Sequence, residues 1–345
     1  MASAEPTAEG AWRAPAARRR FPWATALLIV GFLFAVGLLS MFPFIDPGRE
    51  ESRFTGTIDW LARLKDFAGA TYQSGDFQML IAMLAVGLAL ERFIPACRPA
   101  SSSTLFNIPY SAMMLLFSGA IAPLQVFIAD TLVTWVGWRN LFDLRFSAKD
   151  SILMSFAAML LGALIIDFFF YWFHRLQHTS KLMWQIHLLH HTDTALNVAT
   201  TQRVHFLEHV LSPIFITAPI MMLFNLSDDV IVLVSILPAV WSYAVHMNVR
   251  VGFGRLWWLI SSPQYHRIHH SIEPQHRNRN FAVWFPIWDI VFGSAFAARP
   301  GEYPETGVDG VAVSRLPEAF ALPFVGWNRM ARAAISRNDP AEASR

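Results

Sequence analysis

The chain has 345 residues, 54% of them hydrophobic and only 15% charged, where a soluble domain carries roughly 25% charge. Its apolar residues fall in blocks long enough to cross a bilayer as helices, which takes about 20 residues. A net charge of +2 offers no concentrated basic face and excludes nucleic acid as a partner. The single cysteine, Cys97, excludes an internal disulfide and a thiolate metal site, so any metal here relies on nitrogen and oxygen ligands.

Residues 1–21, rich in Ala, Pro and Arg, show no apolar periodicity and read as a disordered cytoplasmic arm. Pro22 to Phe44 is too long for the apolar part of a cleaved signal peptide, and no cleavage pattern precedes Asp46, Pro47 and Gly48. It reads as a retained first span, with Arg18, Arg19 and Arg20 holding the amino terminus inside. The acidic stretch from Asp46 to Asp76 suits an exported loop, with a short amphipathic piece at Ile58 to Phe67.

Phe77 to Ile94 reads as a second span, flanked inside by Arg92 and Arg98. A third lies within Leu105 to Trp138, which exceeds one crossing and contains Pro109, Pro123 and Asp130, so it is either kinked or partly interfacial. The fourth, Ser151 to Phe173, ends at a histidine cluster that the parity of crossings puts on the cytoplasmic side. Phe206 to Val245 is broken at Asn225, Ser227, Asp228 and Asp229 and reads as a helical hairpin that enters the membrane and returns. A second histidine cluster follows within Arg250 to Arg279, on the same side by counting. Beyond Arg299, Pro300, Pro304, Pro317 and Pro323 suggest an irregular cytoplasmic tail.

The expected architecture is therefore an all-α integral membrane protein with about four spans, an embedded helical hairpin and a cytoplasmic histidine-rich helical cap. Its expected segments are 1–21, 22–150 for the first transmembrane region, 151–298 for the catalytic domain and 299–345 for the tail.

Eight of the twelve histidines form three groups: His174 and His178; His187, His190 and His191; His266, His269 and His270. Residues three and four apart share a helix face, so each group can aim two or three imidazoles at one point. Eight ligands exceed the appetite of one ion, and a zinc site needs only three or four. Two ions with about four or five nitrogens each would use the set, and an all-nitrogen site with open positions suits iron held for oxygen chemistry. A lone His-x-x-x-His arises by chance, but three groups together, two sharing the form His-x-x-His-His, do not.

The segment from Asp167 to Gly293 resembles the fatty acid hydroxylase superfamily, which includes sterol desaturases, sterol methyl oxidases, fatty acid hydroxylases and alkylglycerol monooxygenase. The matching residues are the three histidine groups, Asn280-Phe281, and Trp288-Asp289-x-x-Phe292-Gly293. Leu90 to Pro95 is similar to the early region of that family but is far less specific. The resemblance implies a dimetal centre at the cytoplasmic ends of the helices, with two iron ions and O2 as co-substrate. It also implies a monooxygenase or desaturase acting on a lipid in the bilayer, with electrons from a separate donor such as a ferredoxin or a cytochrome b5-like protein.

The resemblance further makes His246, at the return of the hairpin, a ninth expected ligand. In Arg203-Val-His205-Phe-Leu-Glu208, Phe206 stands where the family usually has proline, so His205 and Glu208 are expected either to bind metal or to support ligands, and His209 to be incidental. Asp167, seven residues before His174, is expected to accept the free N–H of a metal-bound imidazole, with a polar contact between helices as the alternative. Asn280 and Asp289 are expected to orient ligand histidines in the same way. Arg175 and Arg267 either pair with phosphate headgroups or a donor protein, or anchor the topology. The run from Phe168 to Phe173 reads as packing and interface belt.

Hydroxylation of a fatty acyl chain or complex lipid is the first expectation, and sterol desaturation or methyl oxidation the second. A histidine-rich metal transporter is the rival from another class, although transport places ligands near the bilayer midplane. A membrane zinc hydrolase would need a His-Glu-x-x-His helix, which the sequence lacks. Ala341 to Arg345 is no retrieval signal for the endoplasmic reticulum, so a bacterial cytoplasmic membrane is the simpler expectation.

Overall fold

Helices with no charged face form wherever the chain can satisfy its backbone internally and present only carbon to its surroundings. In the computed structural model, which describes residues 75–97, 101–144, 152–226 and 238–337, such helices set the frame. The expected arm, the span at 22–44, the acidic loop up to residue 74 and the hairpin tip at 227–237 lie outside the described residues. Helix α1 is Gly75–Phe93, α2 is Ser101–Val136 and α3 is Ile152–Thr179.

At 1.5 Å per residue α2 is about 54 Å long, well beyond the roughly 30 Å of a hydrocarbon core. The surplus lies at its N-terminal end, where polar side chains turn inward against loops of the histidine domain. Asn107 donates to Asp193 at 2.6 Å, Ser111 to the Ala199 carbonyl at 3.0 Å and Tyr110 to the Val204 carbonyl at 2.9 Å. Pro109 and Pro123 both lie within this one helix.

Helix α3 leads into α4, Lys181–His191, whose N-cap Ser180 accepts from the Met183 N–H. A 3-10 turn, Val198–Gln202, leads to α5, Phe206–Ser212, a π turn at Pro213–Thr217 and α6, Ala218–Leu223. Proline at the head of the π turn lacks the N–H that a regular α turn would use, which explains the interruption. Strand β1, Phe142–Leu144, pairs in parallel with β2, Phe224–Leu226, in the register Phe142 to Phe224, a small departure from the expected all-α chain. Residues 238–246 form α7, followed by α8, Pro263–His269, and α9, Ile287–Val291.

Three described helices are long and apolar enough to cross a membrane: Ser103–Val136, Phe156–Thr179 and Phe206–Leu223. They expose Val126, Phe127, Trp135 and Phe156, a carbon surface suited to lipid. The second expected span is a helix, α1, but it carries Asp76, Glu91 and Arg92. Glu91 is buried and accepts the backbone N–H groups of Val198 and Asn248 at 2.6 and 2.9 Å, tying the end of α1 to the histidine domain.

The irregular tail expected after Arg299 is corrected over Leu316–Arg337, which forms a 22-residue helix, α10. Pro317 falls in the first turn, where its missing N–H costs nothing, and Pro323 is tolerated inside the helix. Ala319 and Leu322 bury into one core with Leu188 and Leu189 of α4 and with Tyr110 and Met114 of α2. Trp327 donates to the Leu182 carbonyl at 3.0 Å. Tertiary burial thus outweighs the prolines that signal loop in the sequence.

Candidate metal centre

The nine expected ligands converge in two adjoining groups. His174, His178, His187, His191 and His269 offer five nitrogens, and His190, His246, His266 and His270 offer four, with the nitrogens of each group all within 4.8 Å of one another. The arrangement follows from local structure. The i, i+4 pair on α3 brings His174 and His178 to one face, and the last turn of α4 sends His187 and His191 to one group while His190, between them, faces the other. Helix α8 divides likewise, giving His269 to the first group and His266 and His270 to the second.

Nitrogens face nitrogens. The Nε2 atoms of His174 and His187 lie 3.1 Å apart, those of His190 and His246 3.1 Å, those of His246 and His266 3.0 Å, and those of His266 and His270 3.2 Å. A first-row ion bound at about 2.1 Å from each nitrogen sets neighbouring ligands about 3 Å apart. The Nε2 atoms of His178, His191 and His269 are buried and have no hydrogen-bond partner among the described residues. Unpaired buried polar atoms are costly, so their convergence fits a cation that takes their lone pairs.

The opposite ring nitrogens are held by the chain. His174 Nδ1 meets the Phe281 carbonyl at 2.6 Å, His269 Nδ1 the Arg279 carbonyl at 2.8 Å, and His246 Nδ1 the Ser242 carbonyl at 2.6 Å. His187 Nδ1 meets Glu208 at 3.2 Å. A carbonyl can only accept, so the first three rings are protonated at Nδ1 and present a bare Nε2. Burial and neighbouring imidazoles push His190, His191, His266 and His270 well below the ordinary histidine range, and burial takes His269 down to about 3. Neutral imidazole is the form that binds metal.

The supporting residues depart from expectation in instructive ways. Asp167 does not touch a histidine; its carboxylate accepts the backbone N–H groups of Trp284 and Phe285 at 3.1 and 2.8 Å, the interhelical alternative in modified form. Asp289 accepts from Tyr265 Oη and from the Phe281 and Ala282 N–H groups at 2.8 to 2.9 Å, and from Ser294 Oγ at 2.7 Å. It therefore shapes the turn whose Phe281 carbonyl holds His174, one step removed from the imidazole. Asn280, at a φ of 57°, donates to the Tyr265 carbonyl and accepts the Phe296 N–H, fixing the same turn between Arg279 and Phe281.

His205 joins neither histidine group. It caps α5, accepting the Leu207 N–H at Nδ1 while Nε2 faces the Phe320 carbonyl of α10. Its place between a helix start and a second helix leaves no ring nitrogen for metal. His209 is likewise apart. Arg175 donates through one terminal nitrogen to Tyr171 Oη and the Phe292 carbonyl, and buried Arg267 donates to Asn248 and the Pro304 carbonyl.

Sequence reading missed the brace behind α4. Buried Arg203 donates to Asn107, Thr192 and the carbonyls of Leu189 and Val313, and Asp193 accepts from Ser103, Asn107 and Thr200. Together they lock the helix end that carries His190 and His191 to α2. Gln177 donates to Glu208 at 2.7 Å and steadies it against His187. Glu91 was open to discovery, since an ionisable residue in an apolar run is rarely idle.

Comparison with known proteins fits this geometry. Residues 159–294 match the family model of the fatty acid hydroxylases. That segment is a fatty acid hydroxylase domain. Alkylglycerol monooxygenase of Xenopus tropicalis is 30% identical over 129 residues, 37% of this chain and 28% of that protein. Ornithine lipid hydroxylase OlsE of Rhizobium tropici is 28% identical over 184 residues, 53% of this chain and 54% of that protein. A very-long-chain aldehyde decarbonylase of Oryza sativa subsp. indica is 26% identical over 194 residues, 50% of this chain and 29% of that protein. The chain thus spans about half or less of the length of these relatives. No solved structure gives a significant match.

Proposed function

We propose that the chain is a membrane-bound, O2-dependent lipid hydroxylase that holds two iron ions, one in each histidine group. The observation that carries this reading is the division of nine imidazoles, eight of them buried and His178 half-buried, into a five-nitrogen and a four-nitrogen group. Among the described residues only histidine nitrogens make up either group, a donor set that suits first-row ions able to leave positions open for oxygen. When bound, the ions would supply the oxidising power that removes hydrogen from an unactivated C–H bond.

The chain's own residues do the rest. The Phe281, Arg279 and Ser242 carbonyls and the Glu208 carboxylate fix ring orientation and leave Nε2 bare. Burial keeps the rings neutral and excludes water, so that oxidation is directed at the substrate. Trp184 covers the edge of the five-histidine group, its ring centroid 5.0 Å from His178 and 5.4 Å from His191.

The relatives support a lipid as substrate: their names cover an alkylglycerol, an ornithine lipid and a very-long-chain aldehyde. Electrons would come from a separate donor, a ferredoxin or a cytochrome b5-like protein, at the cytoplasmic face of a bacterial membrane. Sterol oxidation is the second reading. The transporter alternative gains nothing from the relatives, and its midplane ligands contrast with histidines gathered where α3 and α7 end.

The test compares extracted lipids from cells expressing the chain with those expressing His190→Ala, by mass spectrometry, alongside the iron content of both purified proteins. The reading expects a lipid that gains one oxygen with the native chain alone, two irons in the native protein and fewer in the variant. A native protein that holds a single ion, or a variant that oxidises lipid as well as the native chain, defeats it.

A further inference from the structure

A cavity of about 320 Å³ opens beside the five-histidine group, with His178, His191, His269 and Trp184 forming its inner wall. Arg277 and Asp309 also line it, and both are exposed. Neither side chain has a hydrogen bond or ion pair with any described residue, and they do not pair with each other. One space therefore faces an uncommitted cation and an uncommitted anion.

Their positions are set by firm backbone. Arg277 follows the 3-10 turn Pro274–His276, and buried His276 pins that turn through Nδ1 to Ser271 Oγ at 2.8 Å, with Nε2 lying 3.6 Å from the Glu302 carboxylate. Asp309 stands in the turn closed by the Val311 N–H on the Val308 carbonyl, next to a bridge between Ser271 and Thr306. The backbone that carries both charges to the rim of the cavity is thus held in place, which lowers part of the ordering cost of binding.

Size decides what can enter. At about 30 Å³ for each water-sized group, 320 Å³ holds roughly ten non-hydrogen atoms, enough for a headgroup and its first carbons but not for an entire acyl chain. We propose that this cavity binds the zwitterionic headgroup of a lipid, its anionic group on Arg277 and its ammonium on Asp309, so that a carbon near the headgroup faces the histidine wall. The inference rests on the lipid-hydroxylase reading and adds its substrate class.

The test is binding to the purified full-length chain in detergent, followed by native mass spectrometry, which requires no turnover. The probes are lysophosphatidylethanolamine, lysophosphatidylglycerol, which lacks the ammonium, and water-soluble glycerophosphoethanolamine, which lacks the chain. Arg277→Ala should weaken both lysolipids about threefold to fivefold, and Asp309→Ala should weaken only the ethanolamine lipid by a similar factor, as expected for solvent-exposed charge contacts. Both losses should shrink at high salt. Unchanged binding in both variants, or equal losses for both lipids in Asp309→Ala, overturns the proposal. So does a soluble headgroup that binds as tightly as the lipid, which would assign the cavity to a free zwitterion. Zwitterion binding without any lipid oxidation in cells would sink the hydroxylase reading alone, and oxidation with a cavity indifferent to both charges would sink only this inference.

Discussion

His187 stands between two partners: its Nδ1 lies 3.2 Å from the Glu208 carboxylate, and its Nε2 points into the five-histidine group. The carboxylate from α5 thereby sets the tautomer and orientation of a ring on α4, a link between elements separated by the turn at Val198–Gln202. Outer partners of this kind typically alter metal affinity by about tenfold to a hundredfold. Glu208→Gln, which keeps the shape and removes the charge, should release the ion of the five-histidine group about tenfold more readily to a chelator. The four-histidine group should hold its ion as before. Equal retention at both groups would show that Glu208 is only a packing partner.

Asp289 makes a different kind of prediction because it touches no imidazole. Four donors converge on its two oxygens, from Tyr265, Phe281, Ala282 and Ser294. In Asp289→Asn one carboxylate oxygen becomes an N–H2 group, which leaves at least one buried donor unsatisfied at a cost of about 1–3 kcal/mol. A melting temperature several degrees lower is expected, together with faster stripping of metal as the Phe281 carbonyl loses its grip on His174. A variant that melts with the native protein would remove Asp289 from the support of the site.

The convergence of the histidine groups is legible in the sequence because helical spacing is: three and four residues apart is one face, whatever lies elsewhere. His246 needed the family resemblance, since a solitary histidine at the end of α7 has no spacing partner, yet its Nε2 meets those of both His190 and His266. The supports were less legible. Asp167 and Asp289 were recognisable as important buried acids, but which donors they take depends on the loop between α8 and α9, whose path no periodicity encodes. The role of His205 is hidden from the sequence for the same reason, because its partner Phe320 lies 115 residues away on a helix whose prolines suggest a loop.

Helix α10 should contribute measurably to the site through α4, against which it packs. Leu322 lies nearly buried in the core that contains Leu188 and Leu189, the neighbours of His187 and His190. Truncating such a side chain costs about 2–5 kcal/mol, the lower part of that range being appropriate at the rim of a core. Leu322→Ala should therefore lower thermal stability clearly, whereas Trp327→Phe, which loses a single bond to the Leu182 carbonyl, should cost no more than about 1 kcal/mol. Equal melting temperatures for Leu322→Ala and the native chain would mean that α10 rests on α4 without supporting it.

His205 predicts a pH dependence independent of the metal ligands. Burial holds its folded-state value at about 4, against about 6.5 for an unfolded histidine. The unfolded chain therefore binds more protons between these values, and stability rises with pH across that window. The contribution is complete above about pH 6.5, falls as the pH drops toward 4 and amounts to a few kcal/mol at most, the order set by the gap between the folded and unfolded values. Protonation at Nδ1 would also destroy the cap, because that nitrogen accepts the Leu207 N–H. Asparagine is an equally good N-cap and does not titrate. Metal-loaded protein carrying His205→Asn should thus lose less melting temperature than the native chain between pH 7.5 and 5, and parallel profiles for the two would assign the acid sensitivity to groups other than His205.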